Sequence, residues 1–309
     1  MLIYQDARDR PRTTSVLAIG SFDGLHMGHK VLLRKLNEMA RQHEAPSVVY
    51  TFDQPTRVLL HGAPYLYTLA EKLKLLDLLG VDEVVTVPFT LAFAQRSSED
   101  FIAELRLLNP TAIVVGEDFR FGHDRAGSVA TLRLLTGDLL AMPMYSLDGH
   151  PVHATRIREA LQNGQVEEAR RLLGRPYSAR GVVVRGQALG RKIGFPTANV
   201  AISEGKLLPP GVFASRVLLP DGRLRPGMAN VGWRPTVEGD DRRLEVNLLD
   251  FSGDLYGEEV RVDFIARLRG EERFAGLEAL TEQLRRDEAA ARAVLASTTV
   301  EPDELGLRG

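Results

Sequence analysis

Two histidines three residues apart, His26 and His29, close a glycine-bearing stretch, GSFDGLHMGH (20–29), that follows the apolar run SVLAIG. On a helical turn this spacing brings both imidazoles to one face. Gly20 and Gly24 let the backbone turn tightly beside a ligand. Gly28 sits where a helix begins, and the free N–H groups and positive dipole end of that helix suit a phosphate. Imidazole donors at such a place match the charge that builds on an α-phosphate during nucleotidyl transfer. Ser21, Phe22 and Asp23 fall within the same loop and are taken with it as binding residues. The plainer account makes the histidines surface residues or half of a metal site, but no further His or Cys nearby completes one.

A second concentration of chemistry lies in VVVRGQALGRKIGFPTAN (182–199). Gly186, Gly190 and Gly194 permit a loop to wrap phosphates, and Arg191 and Lys192 add countercharge. Thr197 and Asn199 offer uncharged oxygens two residues apart, a pattern that fits a phosphate-bound Mg²⁺ keeping most of its waters. Glu245, in RLEVNLLDF, lies on an expected strand and can accept a proton from a substrate hydroxyl. By periodicity alone, a turn-rich barrel whose strand glutamate faces solvent is the better account of this region.

The first half of the chain alternates short β-rich runs with helical ones. SVLAIG (15–20), SVVYTF (47–52), DEVVTVP (82–88), TAIVVG (111–116) and DLLAMPMY (138–145) each read as a buried strand. HKVLLRKLNEMARQ (29–42) and TLAEKLKLLDLLG (68–80) carry Leu and Val at helical spacing, the second ending on Gly80 as a C-cap. Ser97 and Asp100 suit a capping box before FIAELRLL. Such alternation predicts a parallel α/β sheet with right-handed crossovers and a ligand site beyond the carboxyl ends of the strands. Two short helical stretches, TRIREALQNG and QVEEARRLLG, close this half. After Arg175-Pro176 the texture changes to GVVV, NVAI, GVFASRVLL, GMANVGW, RLEVNLLDF and EEVRVDFIARL, broken by Gly, Pro and Asp turns. These predict a small antiparallel β-barrel, with GLEALTEQLRRDEAAARAVLAS as a long helix packed on it. The expected domains are 1–175 and 176–309.

Bulk properties narrow the classes. A chain of 309 residues with 26% charged and 44% apolar side chains suits two globular domains. A formal net charge of -2 argues against non-specific binding to nucleic acid or an anionic membrane. The absence of cysteine excludes disulfides, thiolate metal sites and a Cys nucleophile. MLIYQDARDRPRTTS carries charge where a signal peptide would be apolar, and no run approaches the ~18 apolar residues of a membrane span. The expectation is a cytoplasmic protein with small-molecule partners, its oligomeric state left open. No Gly-x-Gly occurs, so neither a dinucleotide fingerprint nor a protein-kinase glycine loop is present, and GxxxxGK[ST] is missing too.

The HxGH element resembles that of the nucleotidyltransferase superfamily, a Rossmann-like fold. In its longer form, GSFDGLHMGH resembles the bacterial bifunctional riboflavin kinase/FMN adenylyltransferase family. VHATRIR (152–158) corresponds to that superfamily's ISSTxxR, with Thr155 and Arg158 matching and His153 and Ala154 replacing paired serines. The resemblance implies that Arg158 grips the ATP phosphates, with Thr155 and Arg156 beside it; the alternative account makes the two arginines solvated helix charges. VGEDFRFG (115–122), holding Asp118, Phe119 and Phe121, resembles the family's loop near flavin and nucleotide, although a Phe after a strand is more often core. TFDQPTR (51–57) keeps Phe52 and Asp53 of a family stretch whose following Pro-His-Pro is lost at Gln54 and Pro55. GFPTAN is similar to the riboflavin kinase signature, as are ANVGWRPT (229–236) and RLEVNLLDFSGDLYG (243–257). From this the resemblance implies Mg²⁺ and ATP held by Thr197 and Asn199, with Glu245 as base for the riboflavin 5′-hydroxyl, and FAD made from riboflavin through FMN. Two rival expectations are an active kinase beside a degenerate adenylyltransferase and a non-catalytic flavin-binding regulator.

Overall fold

The computed structural model describes residues 1–55, 58–59, 62–186, 190, 193–236 and 239–299. They fall into two compact units, Met1–Ala154 and a second beginning at Thr155.

The first unit is built on a six-stranded sheet in the order β1-β4-β3-β2-β5-β8. Its strands are β1 (Leu2–Tyr4), β2 (Ser15–Ile19), β3 (Ser47–Phe52), β4 (Glu83–Val87), β5 (Pro110–Gly116) and β8 (Asp138–Met142). Every pairing is parallel. β2 and β3 are buried at every position, as expected for strands covered on both faces. β8 departs from the expectation of a buried strand. It has a neighbour on one side only, so its residues stay half-exposed. β1 was not foreseen; three residues leave too short a pattern to register. Two small hairpins, β6 (Arg120–Phe121) with β7 (Gly127–Ser128) and β9 (Ser146–Leu147) with β10 (His150–Pro151), decorate the carboxyl side.

The crossovers carry α1 (Met27–Gln42), α2 (Leu69–Leu78) and α3 (Ser98–Leu105). α1 buries Leu32, Leu33, Leu36, Met39 and Ala40 against the sheet, one apolar stripe of a helix whose other face is charged. α2 opens on a capping box between Thr68 and Glu71 and stops at Gly80, where φ is +74°. Ser97 caps α3 by accepting from the Asp100 amide at 3.0 Å; its own hydroxyl donates to the Asp100 carboxylate at 2.8 Å. The chain runs outward from β2 in both directions, so the strand order reverses between β2 and β5, the place where open α/β sheets bind ligands.

The second unit starts with α4 (Ala154–Gln162) and α5 (Val166–Leu173). Six antiparallel strands then close into a barrel in the order β11-β12-β15-β14-β13-β16. They are β11 (Tyr177–Val184), β12 (Ala198–Ile202), β13 (Gly211–Leu218), β14 (Leu224–Thr236), β15 (Gly239–Leu248) and β16 (Glu259–Arg269). Tyr177, Phe213 and Phe264 fill the interior in face and edge contacts, and the buried Tyr177 hydroxyl donates to the Leu207 carbonyl at 2.6 Å. α6 (Leu277–Ser297) lies over β13, β14 and β16. A two-pronged Arg269–Asp287 pair ties it down, with N–O distances of 3.0 and 2.8 Å.

The change of texture at Arg175-Pro176 and the division of the compact units thus fall at different places, with α4 and α5 between them. α5 packs on β11 and β16, buries Val166, Ala169, Leu172 and Leu173, and accepts the Arg267 amide on Glu167 at 2.8 Å. A fragment starting at Thr155 should therefore be sounder than one starting at Pro176. Uncovering one Val and two Leu removes roughly 5 kcal/mol of burial. Thermal denaturation of the two fragments should differ by roughly 10 °C or more; equal midpoints would show that α5 adds nothing to the barrel.

Candidate active sites

In the first unit, the loop after β2 is shaped by backbone that ordinary residues avoid. Phe22 and Leu25 adopt left-handed conformations with φ of 48° and 41°, and Gly24 lies between them at 80°. Phe22 and Leu25 accept this geometry because their side chains are anchored in the core under α1. His26 then precedes α1 in extended conformation and makes no side-chain cap bond to the helix. The rings of His26 and His29 stack at 3.7 Å between centroids, and the Phe22 ring meets His29 edge-on at 5.1 Å. The three-residue spacing thus does bring the imidazoles to one face. Gly28 suits this crowded turn, since a Cβ there would come within 3.2 Å of the His26 ring and 3.3 Å of Tyr145. Gly20 likewise lies against the Phe22 ring. Among the described residues the buried Ser21 hydroxyl oxygen has no hydrogen-bond partner, whereas the buried Asp23 accepts the Leu66 amide at 3.2 Å.

Across the switch point, Phe121 is buried among Phe101 and its neighbours, so it serves as core. Phe119 is partly buried and stacks on Phe121 at 5.7 Å, while Asp118 is exposed and folds back toward Gly116. Asp53 braces two turns at once, accepting the Gln54 amide at 2.7 Å and the Phe89 amide at 2.9 Å. Gln54 donates to the Phe89 carbonyl. The altered stretch after β3 is thus tied internally into the fold.

In the second unit, α4 places Thr155 and Arg156 on half-buried positions and Arg158 on a buried one, with His153 exposed just before the helix. Arg156 has a local carboxylate partner, Glu168 on α5, at 2.6 Å.

The barrel brings Thr197, Asn199 and Glu245 together, although they are separated by up to 48 residues of chain. Asn199 on β12 and Asn230 on β14 both stand opposite Glu245 on β15 in register. The Thr197 hydroxyl donates to the half-buried Glu245 carboxylate across a long 3.5 Å. Gly186 leaves room for this arrangement of Asn199: a Cβ there would fall 2.2 Å from the present position of its amide nitrogen. Gly190 lets the Phe195 carbonyl approach and accepts the Phe195 amide at 2.8 Å, and Gly194 turns at φ 83°. Arg191 and Lys192 lie outside the described residues. A cleft of ≈480 Å³ opens beside Thr197, lined also by Arg185, Phe251 and Tyr256, with the Arg185 guanidinium 5.1 Å above the Tyr256 ring. Sequence reading gave Asn247 no part in the chemistry; it donates to the Pro196 carbonyl at 2.7 Å and so pins the turn that presents Thr197. Its alternation on β15, two residues from Glu245, was the available signal.

A switch-point loop with stacked histidines and a barrel with a Thr–Asn–Glu cluster describe a two-part, ATP-using transferase. The first part matches the family model of FAD synthetase over residues 9–156 and the second that of riboflavin kinase over 173–295. Similar proteins include the bifunctional riboflavin kinase/FMN adenylyltransferases of Escherichia coli strain K12, 40% identical over 91% of this chain and 93% of that one, and of Bacillus subtilis strain 168, 34% identical over 90% and 91%. The crystal structure of a macrolide-efflux protein from Streptococcus pneumoniae is also similar, with TM-score 0.86, 34% identity and coverage of 94% of this chain and 98% of that one. Among the described residues, no helix is long and apolar enough to cross a membrane. The chain belongs to the family of bifunctional riboflavin kinase/FMN adenylyltransferases, enzymes of FAD biosynthesis.

Proposed function

We propose that the barrel phosphorylates riboflavin through Glu245, Thr197 and Asn199, and that the β2–α1 loop drives adenylylation of the FMN so formed through His26 and His29. For the kinase step, the carrying observation is the meeting of Thr197 and Asn199 with a carboxylate on the neighbouring strand. Glu245 takes the proton of the riboflavin 5′-hydroxyl, whose oxygen attacks the γ-phosphorus of ATP; the bond to the β-phosphate oxygen breaks and ADP leaves. Thr197 orients that carboxylate through its hydroxyl proton and keeps lone pairs for a cation.

Mg²⁺ suits these residues. The donors are oxygens only, as a hard cation prefers, and Gly186 leaves the space that the Asn199 amide needs. Held by Thr197 and Asn199, Mg²⁺ would neutralise charge on the ATP phosphates. The remaining work falls to the protein, which aligns the hydroxyl, receives its proton and excludes other geometries.

For adenylylation, an FMN phosphate oxygen attacks the α-phosphorus of a second ATP and pyrophosphate leaves. His26 and His29 stabilise the charge that develops there, at the amino end of a 16-residue helix. Arg158 is assigned to the ATP phosphates on its place in VHATRIR. The protein acts in the cytoplasm on small molecules, without nucleic acid or membrane as partner.

Replacing His153 and Ala154 by Ser tests whether VHATRIR serves ATP. Each restored hydroxyl adds a hydrogen bond of ~0.5–1.5 kcal/mol, so the ATP KM for FAD formation should drop roughly two- to tenfold per site. Identical ATP KM values in wild type, the double Ser variant and His153→Ala would remove the stretch from the ATP site. If His153 itself meets phosphate, His153→Ala alone will raise KM.

A further inference from the structure

Lys72, on the first turns of α2, is a buried cation that the chemistry above does not use. Only 3% of it is exposed. Burying an ammonium is costly unless each of its donors is met, and a Leu or Met would fill the same crossover without that cost. Here all three donors are engaged, and each points at the carboxyl edge of the sheet. Nζ donates to the Phe52 carbonyl at 2.5 Å, the Ser21 carbonyl at 3.2 Å and the Thr51 hydroxyl at 3.3 Å. Thr51 in turn donates to the same Ser21 carbonyl at 3.3 Å. The Ser21 oxygen is therefore drawn inward by two donors from beneath the loop.

A peptide unit is planar, and among the described residues there is no cis bond. With the Ser21 carbonyl turned toward Lys72, the Phe22 N–H that shares its peptide is turned away from Lys72. Phe22 is the residue held in left-handed conformation at the start of the His26–His29 turn. The buried Ser21 hydroxyl, without a hydrogen-bond partner among the described residues, lies in the same segment.

We propose that Lys72 is a positioning residue for adenylylation: by locking the Ser21 carbonyl inward, it aims the Phe22 amide at the phosphate and holds the histidine loop in its working conformation. The inference rests on placing adenylylation at this loop, and His29→Ala, assayed alongside, tests that placement separately.

Two carboxylates favour the charge on Lys72, Asp23 from the loop and Asp53 after β3, while Glu71 on its own helix is committed to Thr68. Burial outweighs them and lowers the Lys72 pKa to about 8. The ammonium therefore gives up its third donor as pH rises through that value.

The test uses the full-length chain, with FAD formation from FMN and FMN formation from riboflavin followed separately between pH 6.5 and 9.5. Lys72→Met should lower kcat for FAD formation roughly ten- to hundredfold, with a smaller change in ATP KM, and leave riboflavin phosphorylation unchanged. Wild type should lose adenylylation as pH passes about 8, and Lys72→Met should lack that limb. Thr51→Val, which removes the second donor to Ser21 but keeps the lysine, should cost roughly two- to tenfold. Should Lys72→Met fail to fold by circular dichroism, the wild-type pH profile and Thr51→Val decide. A folded Lys72→Met with undiminished adenylylation overturns the proposal, as does a wild-type profile flat across pH 8 or a Thr51→Val enzyme of full activity. A defect in Lys72→Met beside an unaffected His29→Ala would instead overturn the siting of adenylylation.

Discussion

His29→Ala should lower FAD formation from FMN and ATP by ~10²–10³-fold while riboflavin phosphorylation continues at its wild-type rate. The size follows from deleting one preorganised donor aimed at developing charge, as in oxyanion-hole deletions. Stability should change little by comparison, because His29 is only half-buried. The defect should lie in kcat, with ATP KM less affected, since the charge that His29 meets is fully developed only in the transition state. Wild-type adenylylation in His29→Ala would remove the stacked pair from the chemistry and leave it as packing.

Glu245→Gln should do the reverse. Gln keeps the shape and still accepts the Thr197 hydroxyl, but it cannot take a proton at neutral pH, so FMN formation should fall by ~10²-fold or more. FAD formation from supplied FMN should persist. Measuring ADP release with riboflavin as acceptor gives the first quantity, and pyrophosphate release with FMN gives the second. If Glu245→Gln phosphorylates riboflavin at the wild-type rate, the proton goes elsewhere and Glu245 serves only to hold Thr197. Together the two variants form a double dissociation: a chain in which both activities fell together would signal damage to folding in place of loss of one group.

Much of this was legible in the residues, and the reasons are specific. Strands β2 and β3 carry unbroken apolar or β-branched runs because both faces are covered, and such runs announce themselves. The His26–His29 face needed only helical spacing and a helix that starts at Met27. What escaped was non-local. Periodicity favoured a solvent-facing Glu245, because nothing local on β15 reveals that β12 pairs beside it and delivers Thr197 and Asn199. Asn247, given no part in the chemistry, acts through Pro196, 51 residues away in sequence. Lys72 sits in TLAEKLKLL, where a lysine reads as the polar face of an amphipathic helix. Its burial comes from strand ends that lie 20 and more residues away in sequence. β1 escaped because three residues, two of them exposed, carry no alternation to detect.

That same short strand covers one edge of the sheet. β4 is buried at four of its five positions, and among the described residues its backbone on one side is paired only with Leu2, Ile3 and Tyr4. Without them the sheet would end on Val-Val-Thr-Val with its polar backbone edge open, a ready template for another chain. The barrel runs no such risk, since β11 closes on β16 and leaves no free edge. Aggregation of this enzyme should therefore begin at the adenylylating half, and trimming or reshaping the first few residues is the change most apt to provoke it.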